Sequence, residues 1–314
     1  AGAARAAPAA HATAAGVVAH RRRVHPAVVT TGYRRFDGAG RDQPAAMQAL
    51  AARLWSWSSR WHPGELAWFW CEHGGPDPAW RLAHWRHGDR VVAWAWARGG
   101  RLDLQLDPAH LALTAEVVAW FGGRSVTVLD AETGLVAELG RHGYERRDDG
   151  PFFAHLRRRL DDDLPGAAPL PDGYTLRPVR GPADAAARAA VHSAAFGVAM
   201  SEAAYRCVLR APSYRPELDW LVVAPDGTPA ASALAWLDTG SGVAVLEPVG
   251  TDPRHRRRGL AAAASLAALN AARRLGARHA RVCARGDDGY PAARAAYEAI
   301  GFRAYARNVR LVRR

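Results

Sequence analysis

Hydrophobic and polar positions change period repeatedly along the chain, and this pattern predicts alternating strands and helices. In the C-terminal part the predicted order is a strand, two helices, three strands, a helix, a strand, a helix and a strand. The predicted segments are 174–179, 183–196, 201–210, 218–224, 229–238, 242–253, 260–277, 278–284, 291–301 and 302–313. Ser201 is placed as a helix N-cap, and Asp226-Gly227 predicts a tight hairpin turn.

The N-terminal part follows the same order of predicted elements. Its segments are 28–36, 43–59, 63–72, 80–88, 90–98, 101–107, 110–121, 125–130, 133–143 and 151–160. We therefore interpret the chain as an internal duplication of one α+β unit, with weak sequence identity between the copies. Mixed sheets flanked by helices fit this order better than an all-α or an all-β design.

The stretch DDDLPGAAPLPDG at 161–173 combines an acidic run with prolines and glycines and has no periodicity, which is typical of a linker. Taking 163–172 as the linker divides the chain into one unit at 25–162 and a second at 173–314. Residues 1–24 are alanine-rich and lack the order of a signal peptide. We expect them to form a flexible or loosely docked arm.

Composition narrows the function classes. The chain has 314 residues, 49% hydrophobic and 23% charged, which is typical of globular domains with real cores. The formal charge of +12 comes from arginine alone, since the chain contains no lysine. Together with heavy Ala, Gly and Pro usage, this composition indicates a GC-rich, bacterial coding bias. A scattered, solvated arginine surface is therefore favoured over a nucleic-acid surface, and no nucleic-acid partner is expected.

The cysteine spacing and the hydropathy of the chain argue against a metal site, a disulfide framework and a membrane span. Three cysteines lie far apart, at 71, 207 and 283, without the spacing of a zinc site or a disulfide framework. We expect no metal, and a cytoplasmic location suits the free thiols. No run of 18 apolar residues occurs, so no membrane association is expected.

Residues 254–261, RHRRRGLA, stack positive charge where a helix is predicted to begin. A helix N-terminus already carries partial positive charge, so cations there oppose the helix dipole unless an anion sits on it. The small residues Gly259 and Ala261 leave backbone N–H groups open to close approach. The stretch therefore predicts a site for an anion such as a pyrophosphate.

The spacing Arg256-x-x-Gly259-x-Ala261, after a strand ending VGTDP, resembles the acyl-CoA pyrophosphate loop of the GNAT N-acetyltransferase superfamily. A second signature of that family is similar to ARAAYEAIGF at 293–302, and it follows at the expected distance. The resemblance covers 173–314 well and 25–160 more faintly. It implies an α+β fold of two tandem GNAT-like acyl-CoA N-acyltransferase domains, a layout similar to the mycothiol acetyltransferase type.

The resemblance also implies the chemistry of the second unit: a primary amine attacks the thioester of acetyl-CoA directly, without an acyl-enzyme. The backbone of Val249 and Thr251 would pair with the pantetheine arm. Tyr297 would protonate the departing thiolate or hydrogen-bond to it; the alternative is a core residue with a bonded hydroxyl. Members of the family often carry Asn where this chain has Tyr290. This difference concerns one side-chain contact near the acyl thioester and leaves the cofactor assignment unchanged. The full set of implied cofactor-binding residues is Val249, Gly250, Thr251, Arg256, Arg257, Arg258, Gly259, Leu260, Ala261, Tyr290 and Ala293.

The attacking amine must lose a proton, and Glu247 is the carboxylate best placed on the fourth strand to take it. The alternative, held as equally strong, is a strand carboxylate paired to one of the many arginines. Asp252 is a weaker candidate because a TDP turn usually uses its Asp for local capping. Cys283 is interpreted as a small buried residue.

The first unit lacks these features. Its equivalent junction, 101–117, has no glycine and no arginine between Arg101 and the helix, and Leu135 or Val136 replaces the tyrosine. We predict a degenerate copy that does not bind acyl-CoA productively. It holds ten of the 12 tryptophans, interpreted mainly as core and interface, and alternatively as a wall of the acceptor pocket. We expect Trp57, Trp61 and Trp68 to line a helix.

The sequence therefore predicts a monomeric or homodimeric, cytoplasmic N-acetyltransferase that uses acetyl-CoA and a small-molecule amine. The alternative is a non-catalytic acyl-CoA-binding sensor or scaffold.

Overall fold

The computed structural model describes residues 28–30, 32–38, 42–72, 75, 77, 79–161, 164–166 and 169–314. The alanine-rich arm predicted at 1–24 lies outside these residues, as do residues 163, 167 and 168 of the predicted linker. Within the described ranges, helices and strands follow one another in the predicted order in both halves. None of the described helices is long and apolar enough to cross a membrane.

The first half contributes eight strands and four α-helices to the described structure. The strands are β1 Val28–Thr30, β2 Tyr33–Asp37, β3 Arg81–His87, β4 Arg90–Arg98, β5 Arg101–Leu106, β6 Ser125–Leu129, β7 Tyr144–Arg147 and β8 Phe153–Arg159. The helices are α1 Asp42–Arg53, α2 Pro63–Cys71, α3 Thr114–Phe121 and α4 Thr133–Arg141.

Three details of this half differ from the sequence prediction. The single strand predicted at 28–36 is a hairpin of β1 and β2, with Gly32 at a φ of 87° between them. The helix predicted at 43–59 ends at Arg53, because the Ser59 hydroxyl donates to the carbonyl of Leu54 and turns the chain. The short strand β7 was not predicted, since its sequence YERR has no hydrophobic alternation.

The second half contributes six strands and four α-helices. They are β9 Thr175–Pro178, α5 Ala185–Phe196, α6 Glu202–Leu209, β10 Asp219–Val223, β11 Pro229–Asp238, β12 Val243–Thr251, α7 Leu260–Arg274, β13 His279–Arg285, α8 Pro291–Ala299 and β14 Arg303–Arg313. The predicted N-cap is confirmed: the Ser201 side chain accepts a hydrogen bond from the N–H of Ala204. The β10–β11 turn is also confirmed, with Gly227 at a φ of 83°.

One continuous sheet joins the halves, in the order β1-β2-β3-β4-β5-β6-β14-β8-β13-β12-β11-β10-β9, with β7 also paired to β14. The last strands of the two halves are exchanged. Strand β8 lies between β13 and β14, whereas the end of β14 pairs with β6 and β7. Each predicted unit, 25–162 and 173–314, therefore supplies a strand to the sheet of the other.

Both halves contain one parallel strand pair that separates after a few residues. Strands β12 and β13 are paired as far as Leu246 opposite Val282, and β5 and β6 as far as Asp103 opposite Thr127. Beyond these points the strands no longer exchange hydrogen bonds. A gap therefore opens in the sheet in each half.

Tryptophans fill much of the core in the first half. Trp68, Trp85, Trp94 and Trp96 are all fully buried, which confirms the core interpretation for these four. The expectation that Trp57, Trp61 and Trp68 line one helix is wrong. Only Trp68 lies in α2, because α1 ends at Arg53 and the other two occupy the segment that joins the helices.

Candidate active site

The gap between β12 and β13 opens onto a cavity of about 1120 Å³ that residues of both halves line. Twelve of the thirteen predicted site residues lie on its wall. They are Glu247, Val249, Gly250, Thr251, Arg256, Arg257, Gly259, Leu260, Ala261, Tyr290, Ala293 and Tyr297. Residues that are up to 50 positions apart in the chain are thus brought to one cavity by the strand–helix connections around β12, α7 and α8.

The loop before α7 has the geometry of an anion cradle. Gly259 is the N-cap of α7 in the left-handed region, at a φ of 74°, and no side chain caps the helix. The first N–H groups of α7 are therefore available to a ligand. A Cβ atom on Gly259 would meet nothing within 4 Å, so the space above this backbone is open.

The arginines of this loop have separate roles. Arg254 forms an ion pair with Asp252 at 2.8 Å, and Asp252 also accepts from the N–H of Arg254, so Asp252 is a local cap. Arg256 donates to the carbonyl of Ala195 at 3.0 Å and so ties the loop to α5. Arg257 lines the cavity. The predicted cofactor residue Arg258 does not, because its guanidinium donates instead to the Tyr174 hydroxyl at 3.0 Å.

Tyr297 and Glu247 face the same cavity from α8 and β12. Tyr297 is 8% exposed and packs edge-on against Phe302. Its burial, and the nearby Glu247 and Cys283, raise the pKa of its phenol above the ordinary value. The hydroxyl therefore keeps its proton at neutral pH.

Glu247 is partly buried, and among the described residues it forms no ion pair with an arginine. Burial, followed by the charges of Glu65 and Glu72, raises its pKa to about 8. The alternative interpretation of Glu247, as a strand carboxylate paired to an arginine, is therefore not supported, because no arginine among the described residues pairs with it. When the Glu247 carboxyl loses its proton, the resulting carboxylate is more basic than that of an ordinary glutamate, because it is partly shielded from water.

The sequence analysis missed Glu65, which belongs to the first half. Glu65 lies at the start of α2, where it accepts from the N–H of His62 at 2.9 Å, and it forms a buried ion pair with Arg281 of β13. The Cys283 thiol lies 3.7 Å from the other oxygen of Glu65. The sequence HPGE at 62–65 indicates a capping glutamate, but nothing local indicates that it reaches the other half.

His155 is a second missed residue, carried into the second half by the exchanged strand β8. It is 1% exposed and stands opposite Cys283 in the strand register. Its Nε2 lies 2.9 Å from Oδ1 of Asn308. Burial, and then the charge of Arg281, lower the pKa of its imidazole well below the ordinary value, so the ring is neutral.

The corresponding features of the first half are filled by its own side chains. Asp107 caps a short 3₁₀ helix at Pro108–Leu113 and pairs with Arg53 at 2.6 Å. Where β5 and β6 separate, the Arg60 guanidinium donates to Asp103 at 2.7 Å and to the carbonyl of Thr127 at 2.9 Å. Leu135, at the position of the missing tyrosine, is buried in the core. An acyl-CoA bound here would have to displace these contacts.

Comparison with known families addresses the second half directly. The profile of the family described as "Acetyltransferase (GNAT) family" matches residues 190–302, which include the cradle loop and α8. The second half belongs to the GNAT acetyltransferase family. It is therefore an acyltransferase domain. No curated protein sequence matches the chain at a significant level.

Solved structures extend the likeness over both halves. A tandem GNAT protein from the clavulanic acid biosynthesis pathway is 19% identical, with a TM-score of 0.60 over 89% of this chain and 98% of that chain. A GCN5-related N-acetyltransferase from Sphaerobacter thermophilus is 19% identical, with a TM-score of 0.58 over 91% and 96%. A GNAT-family acetyltransferase from Colwellia psychrerythraea is 13% identical, with a TM-score of 0.58 over 89% and 99%.

Identities this low show the fold alone. The chain has the α+β fold of two tandem GNAT-like domains, as the sequence predicted. Among the residues that the structure describes, no group of three or more His, Cys, Asp or Glu side chains is arranged to hold a metal ion.

Proposed function

We propose that the chain is an acetyl-CoA-dependent N-acetyltransferase that acts on a primary amine of a small molecule, with the second half as its catalytic GNAT domain. One observation carries the proposal. A single cavity is lined by the open helix N-terminus at Gly259, by Glu247 and by Tyr297. Groups able to serve as an anion site, a base and an acid thus line one space.

Acetyl-CoA would enter as co-substrate along the gap between β12 and β13. Its pyrophosphate would accept hydrogen bonds from the free N–H groups at the start of α7, with Arg257 nearby to offset its charge. The backbone of Val249 and Thr251, at the end of β12, would pair with the pantetheine arm as a further strand does. Gly250 lets α5 pack closely against this strand, since a Cβ there would lie 2.7 Å from the Cβ of Ala195.

The reaction would proceed by direct attack of the amine on the thioester carbonyl. A C–N bond forms, the C–S bond breaks, and the proton lost by the amine passes to the Glu247 carboxylate. Tyr297 gives its proton to the departing thiolate and regains one from solvent. Its raised pKa keeps that proton in place until the thiolate develops.

The first half would serve as part of the acceptor pocket. Its Arg60, Trp61, Glu65 and Phe69 line the same cavity as the cradle. Helix α2 packs on β11 and β12 of the other half. We infer that the degenerate copy is retained because it completes this wall.

Two substitutions test the chemical roles. Glu247→Gln and Tyr297→Phe should each lower kcat for acetyl transfer by about 10²–10⁴-fold, the usual contribution of general acid–base groups. Release of free thiol from acetyl-CoA with a panel of amines measures the rate. If both variants kept the wild-type rate with the same amine, neither residue would have the role assigned to it.

A third substitution tests the cradle. Gly259→Val places a β-branched side chain at a left-handed φ in front of the open N–H groups, and should abolish acetyl-CoA binding by calorimetry. Gly276→Val, at the far end of α7 with a φ of 95°, carries the same backbone strain away from the cavity and is the matched control. Equal affinity in both variants would remove the cradle assignment.

A second candidate function is binding of acyl-CoA without turnover, as in a sensor. The raised pKa of Glu247, about 8, favours it, because about nine-tenths of this carboxyl is protonated at pH 7. A tight acetyl-CoA complex with no thiol release from any amine, at pH 7 and at pH 9, would support the sensor over the enzyme.

A further inference from the structure

The cavity extends from the catalytic residues to a basic face in the first half. Register pairs place five of its lining residues on one face of the sheet. Arg98 stands opposite Arg101, and Arg101 precedes Asp103 by two residues. Asp103 and Arg310 are both opposite Thr127, and Arg310 is opposite Arg147. Directly opposed residues share a face, so four arginines lie on the face of the sheet that carries Asp103.

Two of these four arginines are not neutralised, whereas Arg310 pairs with Asp149 at 3.2 Å. Asp103 is shared by Arg98 at 3.2 Å and by Arg60 at 2.7 Å. Arg101 and Arg147 are exposed, and neither forms an ion pair among the described residues. Like charges directly opposed across strands are unfavourable, so an anion bound here would relieve the Arg98–Arg101 pair. Arg60, Arg98 and Arg101 together hold the pKa of Asp103 below its ordinary value, which is consistent with a surplus of positive charge.

Carboxyl groups gather at the opposite end of the cavity. Glu65 and Glu247 line it there, and Arg281 pairs with Glu65. Glu72 lies between the two ends, since its charge raises the pKa of Glu247 and its carboxylate is 3.9 Å from Arg98. With Glu247 ionised, this end attracts a cation such as a substrate ammonium, whereas Arg101 and Arg147 attract an anion.

The strand order sets the distance between these ends. From Glu247 on β12 the sheet runs through β13 and β8 to β14, which carries Arg310, and then through β6 to β5, which carries Asp103. At about 4.8 Å for each step, Arg310 is roughly 14 Å and Asp103 roughly 24 Å from the catalytic strand. These are separations between strand backbones, and even with the reach of the flanking side chains an ordinary amino acid is too short to connect Glu247 with Arg101 on β5.

We propose that the acceptor is an elongated molecule with its reacting amine at one end and a carboxylate or phosphate roughly 15–25 Å away, bound by Arg101 and Arg147. This inference rests on the proposed function and specifies its substrate class. The acidic end of the cavity orients the ammonium, and the basic face selects the anion. Because both ends must be reached, length and charge are recognised together.

Oligoglycines of two to seven residues test the proposal, each as the free acid and as the C-terminal amide. An extended peptide spans at most about 3.3–3.6 Å per residue, so the carboxylate reaches the basic face from about four residues onward. We expect kcat/KM for the acid to exceed that for the amide by about two- to fivefold at four to seven residues, and not at two. Peptides that end in a phosphate monoester in place of the carboxylate show which of the two anions the basic face prefers.

The arginines are tested with the same pairs of peptides. The double variant Arg101→Gln/Arg147→Gln should lose the preference for the acid. Arg90→Gln removes an exposed arginine of β4 that does not line the cavity, and should keep the preference. Equal use of acid and amide at every length, or a preference that survives in the double variant, would overturn the proposal.

Failure of the proposed enzyme activity can be distinguished from failure of the proposed acceptor class. If acetyl-CoA binds and no peptide or amine is acetylated at any pH, the enzyme assignment fails by itself. Calorimetric binding of the peptide pairs in the presence of CoA then measures the same acid-over-amide ratio without turnover. A ratio near one in that measurement would still refute the elongated, acidic acceptor.

Discussion

Glu247 should make the protein less stable as the pH rises, and replacing it with glutamine should remove this effect. Its pKa is about 8 in the folded chain, against 4.5 for an ordinary glutamate. Below pH 4.5 the carboxyl is protonated in both states. Between the two values the folded state holds a proton that the unfolded chain has released, so stability falls with pH across this window.

The size of the effect follows from the linkage relation. Each pH unit in the window costs up to about 1.4 kcal/mol. Between pH 5.5 and 7.5 the proton difference is close to one, so the wild type should lose about 2.5 kcal/mol relative to Glu247→Gln. For a chain of this size, at about 2.1 cal/mol/K of unfolding entropy per residue, that corresponds to roughly 4 °C in Tm. The variant should therefore gain stability at pH 7.5 while it loses acetyl transfer.

Thermal unfolding at constant ionic strength measures the difference. Wild type, Glu247→Gln and the control Glu217→Gln, an exposed glutamate, are compared at pH 5.5 and 7.5. The Tm gap between wild type and Glu247→Gln should widen at the higher pH, and the gap to the control should not. An equal gap at both pH values would refute the raised pKa and, with it, the electrostatic reasoning about the acidic end of the cavity.

Three further outcomes follow from the same geometry. If Glu247 is the base, kcat/KM should rise about tenfold from pH 7 to pH 9. Glu72→Gln removes a neighbouring negative charge and should move the pH–rate profile to lower pH. A profile that does not move would contradict this. Arg188→Met should cost about 3–5 kcal/mol in urea denaturation, because it leaves the wholly buried Asp219 carboxylate without its cation at 2.9 Å. Removal of residues 308–314 should expose the amides of β6 to hydrogen–deuterium exchange and leave those of β11 protected, because the end of β14 pairs with β6 of the first half. Equal protection of β6 with and without these residues would show that the strand pairing between the halves is dispensable.

Several features were available from the sequence because they are local. Hydrophobic periodicity predicted the order of the elements, and the Ser201 cap and the Asp226-Gly227 turn were read from neighbouring residues. The cradle was predictable for the same reason, since its arginines, glycine and helix start are contiguous at 254–261. The errors at 28–36 and 43–59 arose where a hairpin and a side-chain hydrogen bond ended elements whose hydrophobic pattern continues.

The shared cavity was decided by long-range pairing that no local pattern encodes. The exchange of β8 and β14 depends on which strand edges meet after both halves have formed. That exchange brings His155 beside Cys283, and the packing of α2 brings Glu65 to Arg281, more than 200 positions away. Residue identity and spacing determined the elements and the open helix start proposed as the anion cradle. The acidic end, the basic face and the distance between them come from the tertiary structure, because cross-strand register places distant residues on one face.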